Sequence, residues 1–221
     1  MRIKPMRGFC VFDLDGTLVD FNTTYHFISF VLARKSKRRF LAYELLSSPI
    51  SALCHTINRI GLASRDLRKE TSARFLKGTS YGEIERLGRV FCKGLCHTIE
   101  TSDRSPLHEM LTRARAESDV YILSRTLVPL EALGSCLAVK VMSSRLNHDD
   151  SSKADGTFAE LNKKDAMYLL AAERNLAYKM AVSDSPEDLV ESFPFRLLVI
   201  NSRIPWIRRG YNVKVVSGKS S

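Results

Sequence analysis

The chain has 221 residues, of which 44% are hydrophobic and 26% charged, so its composition excludes a mostly disordered, collagen-like or repetitive protein. Its length suits one domain, or one core with a modest insert. The formal net charge of +10 favours anionic partners, namely phosphates, nucleic acid or acidic lipid headgroups, without choosing among them.

Four apolar, β-prone runs predict strands buried on both faces of a parallel sheet, because each run is short, continuous and ends in a polar residue. They cover residues 8–13, 119–124, 179–183 and 195–201, and a shorter run at 139–142 is a candidate fifth strand. Helical periodicity lies between the runs. Strands that alternate with helices predict an α/β fold with a Rossmann-like, mostly parallel sheet as its core.

Roughly a hundred residues separate the first predicted strand from the second, which is far more than one crossover helix needs. Five segments in this gap carry apolar residues at helical spacing: 25–33, 40–46, 50–60, 66–76 and 81–95. The sequence therefore predicts a core domain of residues 1–20 and 104–216 and an inserted helical cap domain of residues 21–103. The Ser, Gly and Lys residues of the tail, 217–221, predict disorder.

Five cysteines are scattered along the chain: Cys10, Cys54, Cys92, Cys96 and Cys136. Because their number is odd and the chain is too large to need disulfides for stability, we expect free thiols in a reducing compartment. The apolar run after the basic N-terminal segment is too short for a signal peptide, and no apolar run is long enough to span a bilayer. These features predict a cytoplasmic protein.

Polar side chains follow the predicted strands at the edge of the sheet where α/β folds bind ligands. Asp13 and Asp15 come directly after the first strand, and two carboxylates at alternate positions can converge on one cation and one electrophile. Gly16 allows a sharp turn there. Ser124 ends the second strand, and its hydroxyl can donate to a phosphate oxygen.

Two further groups complete this predicted site. Asp184 and Asp188 follow the strand at 179–183 and add two carboxylates. Lys164 opens a helix near Asn162 and could neutralise phosphate oxygens, and Lys163 is the competing candidate. Four acids gathered at one site would repel one another unless a hard cation lay among them, and Mg²⁺ suits oxygen ligands. The pattern therefore favours phosphoryl transfer, although the same acids could serve only as turn residues or helix caps.

The order of these pieces resembles the haloacid dehalogenase superfamily of aspartate-nucleophile phosphohydrolases, from residue 9 to about residue 201. The matching residues are Asp13, Asp15 and Thr17 (its DxDxT motif), Ser124, Lys164, and Asp184 with Asp188 (its DxxxD motif). The long helical insert and the stretch at 155–157 resemble its phosphoserine-phosphatase-like branch. The cap segments loosely resemble phosphatidylglycerophosphatases of the C type.

The resemblance implies an Mg²⁺-dependent phosphatase that hydrolyses a small phosphomonoester through an aspartyl-phosphate. Asp13 would be the nucleophile and Asp15 the general acid and base. The metal would be held by Asp13, the backbone carbonyl of Asp15 and Asp184, with Asp188 orienting its water shell. The phosphoryl group would be held by Thr17, Ser124 and Lys164. One departure makes phosphoserine itself a poorer substrate: the glutamate that phosphoserine phosphatases carry nine residues after the nucleophile is Asn22 here.

A basic run at 34–39 precedes a fairly apolar segment at 40–62. Basic charge beside an amphipathic segment is what binding to an anionic membrane surface requires, although most such runs are only solvated faces. This makes a lipid phosphatase at the membrane surface the alternative enzyme. A non-enzymatic anion-binding or nucleic-acid-binding protein is a third hypothesis, but no RNP, KH or zinc-finger signature occurs, so no specific nucleic acid is expected as partner.

Overall fold

A computed structural model describes residues 8–59, 67–101, 105–174, 178–184, 196–200 and 212–216. The strands are β1 (Phe9–Phe12), β2 (Asp119–Ser124), β3 (Lys140–Ser143), β4 (Arg145–His148), β5 (Ala154–Ala159), β6 (Tyr178–Ser183), β7 (Arg196–Ile200) and β8 (Asn212–Val216). The helices are α1 (Thr23–Lys35), α2 (Lys37–Arg59), α3 (Leu67–Arg74), α4 (Tyr81–Thr101), α5 (Ser105–Glu117), α6 (Glu131–Leu137) and α7 (Lys163–Arg174).

Six strands form one parallel sheet in the order β3-β2-β1-β6-β7-β8, and the predicted α/β fold is confirmed. β1 lies between β2 and β6, with Phe12 opposite Ile122 on one side and Val182 on the other. Because these strands run in the same direction, the residues that follow all three meet at one edge of the sheet.

The apolar character of β1 comes from its position inside the sheet, where all four of its residues are buried. Cys10 and Phe12 join the larger hydrophobic cluster on one face, while Phe9 and Val11 join a second cluster on the other face. Helix α7 covers that second face through Ala166, Met167 and Leu170. Burial on both faces explains why the strand reads as a continuous apolar run rather than an alternating one.

The predicted helical insert contains α1 to α4, and its buried side chains belong to the same hydrophobic cluster as one face of the sheet. The two segments predicted at 40–46 and 50–60 form one helix, α2, which continues through Pro49. A proline inside a helix removes one backbone hydrogen bond and crowds the carbonyl four residues earlier, so Pro49 destabilises α2 locally. The domain bounds given above stay a prediction, and the tail at 217–221 lies outside the described residues. No helix within the described ranges is long and apolar enough to cross a bilayer.

The sequence analysis missed three strands: β8 at one edge of the main sheet, and β4 and β5, which form an antiparallel hairpin. Most residues of β4 and β5 are exposed or half-buried, so these two strands lack the apolar signal of the core strands. The hairpin contacts the turn before α4, where the Gly78 N–H donates to the Ala154 carbonyl at 2.8 Å and the Tyr81 N–H donates to the Ser152 carbonyl at 2.8 Å.

A disulfide joins Cys96 of α4 to Cys136 of α6, so the expectation of free thiols is wrong for these two residues. Their positions 40 residues apart in sequence gave no sign of pairing, but α4 packs against α6 in the fold. Cys10 and Cys92 are buried and are not joined by a disulfide. Burial raises the pKa of Cys92 to about 12, which keeps this thiol protonated.

We expect Cys136→Ser to lower the free energy of unfolding by about 3 to 4 kcal/mol, because the disulfide closes a 40-residue loop in the unfolded chain. Urea unfolding without reductant measures this change, and reduced wild-type protein should behave like the variant. Equal midpoints for oxidised wild type and variant, or no new thiols on reducing the denatured protein, would contradict the pairing.

Candidate active site

Asp13 begins the site at the carboxyl end of β1, where its N–H donates to the Val182 carbonyl of β6 at 2.9 Å. Its carboxylate is buried and fixed by two donors. The Leu14 N–H donates to Oδ1 at 2.8 Å, and the Lys163 ammonium lies 2.7 Å from the same oxygen. A buried ion pair with a backbone hydrogen bond holds one carboxylate in one orientation, which is what a nucleophile requires.

Lys163, and not Lys164, is the lysine that contacts Asp13, which favours Lys163 as the phosphate lysine; the choice between the two stays a prediction. Lys163 is 8% exposed, whereas Lys164 is exposed on the surface of α7. The reason is helical geometry. Lys163 shares one face with the buried residues Ala166, Met167 and Leu170, and Lys164 lies about a quarter-turn away from it.

Asp15 follows Asp13 on the loop, and its Oδ1 accepts a hydrogen bond from the Thr23 N–H at the start of α1 at 3.0 Å. Burial raises the pKa of the Asp15 carboxyl, and this effect outweighs the Thr23 hydrogen bonds and the charges of Lys163 and Lys69, which lower it. A carboxyl with a raised pKa keeps its proton to higher pH. Asp15 is therefore suited to donate a proton.

The carboxylate of Asp184 lies against Gly16 in the loop after β1. The Gly16 φ of +76° lies in the left-handed region that favours glycine. A Cβ placed on Gly16 would lie 2.7 Å from the Asp184 Cγ, closer than real carbon atoms approach. The absence of a side chain at residue 16 therefore leaves room for the carboxylate of Asp184, which follows β6, against the loop after β1.

Ser124 ends β2 and is 1% exposed, and Thr17 is fully buried on the loop after β1. The Ser124 Oγ accepts a hydrogen bond from the Thr126 N–H at 3.2 Å. Each of these two residues brings a hydroxyl to the part of the fold that holds Asp13. Whether these hydroxyls bind phosphate stays a prediction.

Three threonines that the sequence analysis did not single out tie the start of α1 to the loop after β2. The Thr126 hydroxyl lies 2.7 Å from that of Thr23 and 3.2 Å from that of Thr24. The Leu127 N–H donates to the Thr24 hydroxyl at 3.2 Å. All three threonines are buried, so this cluster fixes the helix whose first N–H binds Asp15. No motif marks them in the sequence, because their partners are about a hundred residues away in the chain.

Lys69 is a second cation near the acids and was also missed. It lies on α3, is 4% exposed, and its Nζ is 2.9 Å from Glu160 Oε1. Its charge acts on Asp15, whose pKa it lowers. Lys69 thus brings a buried positive charge from the helical insert towards the site.

Asn22 has a structural role that explains its presence where the related phosphatases carry glutamate. It is the N-cap of α1, and its Oδ1 accepts a hydrogen bond from the Tyr25 N–H at 3.4 Å. Asn22 is exposed and carries no charge. It therefore cannot supply the carboxylate that would pair with an amino group of a substrate.

The donor set at this edge fits a hard cation. Asp13 and Asp184 bring two carboxylates from the neighbouring strands β1 and β6, and the Asp184 carboxylate lies against the Gly16 loop. Two carboxylates with substrate phosphate are a usual ligand set for Mg²⁺. Within the described ranges, no group of three His, Cys, Asp or Glu side chains forms a metal cluster. Asp188 lies outside the described residues.

Comparison with protein families identifies the family of this chain. The model of the haloacid dehalogenase-like hydrolase family matches residues 10–190, which span the loop after β1, Ser124, Lys163 and Asp184. The chain belongs to the haloacid dehalogenase-like hydrolase family. The family predicted from the motifs is thus confirmed, and so is the assignment of the chain as a hydrolase. A comparison with curated proteins gives no match.

Several solved structures share the fold of this chain at low sequence identity. A phosphoserine phosphatase solved as a phospho-aspartyl intermediate analogue aligns with a TM-score of 0.56 and 13% identity, over 89% of this chain and 88% of that one. A probable phosphoserine phosphatase from Vibrio cholerae gives 0.57 and 16%, over 89% and 56%. A protein of unknown function from Bordetella pertussis gives 0.70 and 15%, over 94% and 98%. At these identities the likeness establishes the fold alone.

Proposed function

We propose that this hydrolase is an Mg²⁺-dependent phosphatase that cleaves a phosphomonoester through an aspartyl-phosphate on Asp13. The observation that carries the proposal is the buried pair of Asp13 and Lys163, 2.7 Å apart at the carboxyl end of the central strand β1. The pair combines a fixed carboxylate, able to attack phosphorus, with a positive charge that can neutralise phosphate oxygens. Three more polar residues lie at the carboxyl ends of neighbouring strands: Asp15 follows β1, Ser124 ends β2, and Asp184 follows β6.

The chemistry assigns separate steps to the two aspartates. The Asp13 carboxylate attacks phosphorus, so that an O–P bond forms as the bond to the leaving alkoxide breaks. Asp15 gives its proton to the alkoxide, and then takes a proton from the water that cleaves the aspartyl-phosphate and regenerates Asp13. The raised pKa of Asp15 and the hydrogen bond from the Thr23 N–H support this role.

The remaining residues would hold the phosphoryl group and the cation. Ser124 and Thr17 would donate hydroxyl hydrogen bonds, and Lys163 takes the place proposed for Lys164. Asp13, Asp184 and the Asp15 carbonyl would hold Mg²⁺, with Asp188 orienting its water shell. Bound there, Mg²⁺ would offset negative charge on the phosphoryl oxygens.

The substrate class we propose is a small phosphorylated molecule other than phosphoserine. Two features support it: the uncharged cap residue Asn22, and the buried Lys69 of the helical insert, whose charge acts on Asp15. A panel of sugar, amino-acid and glycerol phosphates, with phosphatidylglycerophosphate and phosphatidate in vesicles as a separate arm, would identify it. Release of phosphate from none of these classes would contradict the proposal.

Removal of divalent cations is expected to silence the enzyme. Chelation by EDTA should reduce phosphate release to background, because Lys163 alone would then offset the negative charge of Asp13, Asp184 and the anionic substrate. Added Mg²⁺ should restore the rate, whereas K⁺ at equal ionic strength should not. Full activity in excess EDTA would contradict the metal assignment.

A further inference from the structure

The outer face of α2 exposes leucines that the fold leaves uncovered. Leu41 and Leu45 lie one turn apart and are 58% and 74% exposed, and Leu46 beside them is 46% exposed. Tyr43, on the opposite face, is 4% exposed and packs into the core. Single exposed leucines are ordinary on a protein surface, but this row faces outward on one helix.

Basic side chains lie at the N-terminal end of this apolar row. Arg34, Lys35, Lys37, Arg38 and Arg39 are all exposed where α1 passes into α2. Arg38 lies on the same helical face as Leu41 and Leu45, three and seven residues before them. Lys37 and Arg38 make no polar side-chain contact with any residue that the structure describes, so their charges are available to a partner.

The other basic residues hold this region in place and remain exposed. Lys35 pairs with Glu83 of α4, and Arg39 donates to the Lys77 carbonyl at 2.9 Å. The Arg34 guanidinium lies 3.5 Å from the centre of the Phe30 ring. Glu44, the acidic residue of this stretch, accepts a hydrogen bond from the Ser29 hydroxyl at 2.7 Å. The junction of α1 and α2 therefore presents five exposed basic side chains, three of which have partners within the protein.

We propose that this surface, formed by Lys37, Arg38, Leu41, Leu45 and Leu46, docks on an anionic membrane. Apolar side chains flanked by basic ones are the combination that binds a bilayer interface, where leucines enter the acyl boundary and each cation interacts with lipid headgroups. Charge alone would fit any polyanion, but an acidic polymer offers nothing to the leucines. Docking is independent of the catalytic residues, so it is tested separately from the proposed phosphatase.

Vesicle sedimentation of the full chain tests the proposal. At physiological salt, binding to vesicles of phosphatidylcholine with phosphatidylglycerol should exceed binding to pure phosphatidylcholine by about tenfold or more. Leu41→Ser/Leu45→Ser should weaken binding to the anionic vesicles about tenfold, and Lys37→Gln/Arg38→Gln should do the same. Asp13→Asn should bind as wild type does, whatever its effect on catalysis.

Matched substitutions elsewhere serve as controls. Leu169→Ser removes a leucine that is 52% exposed on α7, and Arg89→Gln/Lys93→Gln removes two exposed charges from α4. Both should leave binding within about twofold of wild type. Equal binding to neutral and anionic vesicles, or equal losses in control and test variants, would overturn the proposal. So would a dimer in solution that Leu41→Ser/Leu45→Ser dissociates, since a second copy would then cover the leucines.

Discussion

Asp13→Asn is expected to lower phosphate release by at least about 10⁴-fold, because an amide oxygen cannot replace the carboxylate as nucleophile. The protein should stay folded. Asparagine keeps an oxygen that can accept from the Leu14 N–H and from Lys163, so the loss of unfolding free energy should be about 1 to 3 kcal/mol. Steady-state rates on the best substrate of the panel, with urea unfolding of the same sample, measure both effects.

Asp20→Asn is the matched control, since Asp20 is an exposed aspartate just beyond the same loop. It should keep its rate within about twofold of wild type. A folded Asp13→Asn variant that retains full turnover would remove Asp13 from the chemistry.

Lys163→Met is expected to lower kcat by about 10²- to 10³-fold, the usual cost of removing one charged donor from a site of developing charge. Lys164→Met should have little effect, because Lys164 is exposed on α7. Inhibition by inorganic phosphate provides a second measurement. It should weaken strongly in Lys163→Met and stay unchanged in Lys164→Met.

The Lys163 substitution also removes the partner of a buried carboxylate, so its stability must be followed alongside activity. Lys163→Arg keeps a positive charge and should retain more phosphate inhibition than Lys163→Met. If the two neighbouring lysine variants lost phosphate inhibition equally, the assignment to Lys163 would be wrong.

The sheet and its main strands could be predicted because strands buried on both faces are apolar at every position. A strand such as β1 is apolar at every position since both of its faces are covered, and its polar end marks the edge where the site forms. Asp13, Asp15 and Asp184 were therefore found as strand-end residues, and Gly16 was singled out for its turn.

The sequence could also have predicted that Lys163, rather than Lys164, lies on the buried face of α7. Spacing by three, four and seven residues places Lys163 on the face of Ala166, Met167 and Leu170. That face is apolar and must pack on the sheet, so a lysine on it reaches the strand ends. The position within the helical period, rather than closeness to the helix start, was the informative signal.

Contacts between distant segments could not be predicted. Cys96 and Cys136 pair because α4 packs on α6, and Thr23 meets Thr126 because the start of α1 lies on the loop after β2. Neither pair has a local pattern, since each depends on how the helical insert returns to the core. The buried Lys69 likewise pairs with Glu160, which lies 91 residues later in the chain.

Chemical trapping of the covalent intermediate tests whether Asp13 is the nucleophile that forms an aspartyl-phosphate. The enzyme is mixed with substrate, quenched in acid and reduced with borohydride, which converts an acyl phosphate to an alcohol, and the peptides are then mapped by mass. We expect the side chain of Asp13 alone to be reduced, and only when substrate is present. Active enzyme whose Asp13 stays unreduced, or reduction at another carboxylate, would contradict it.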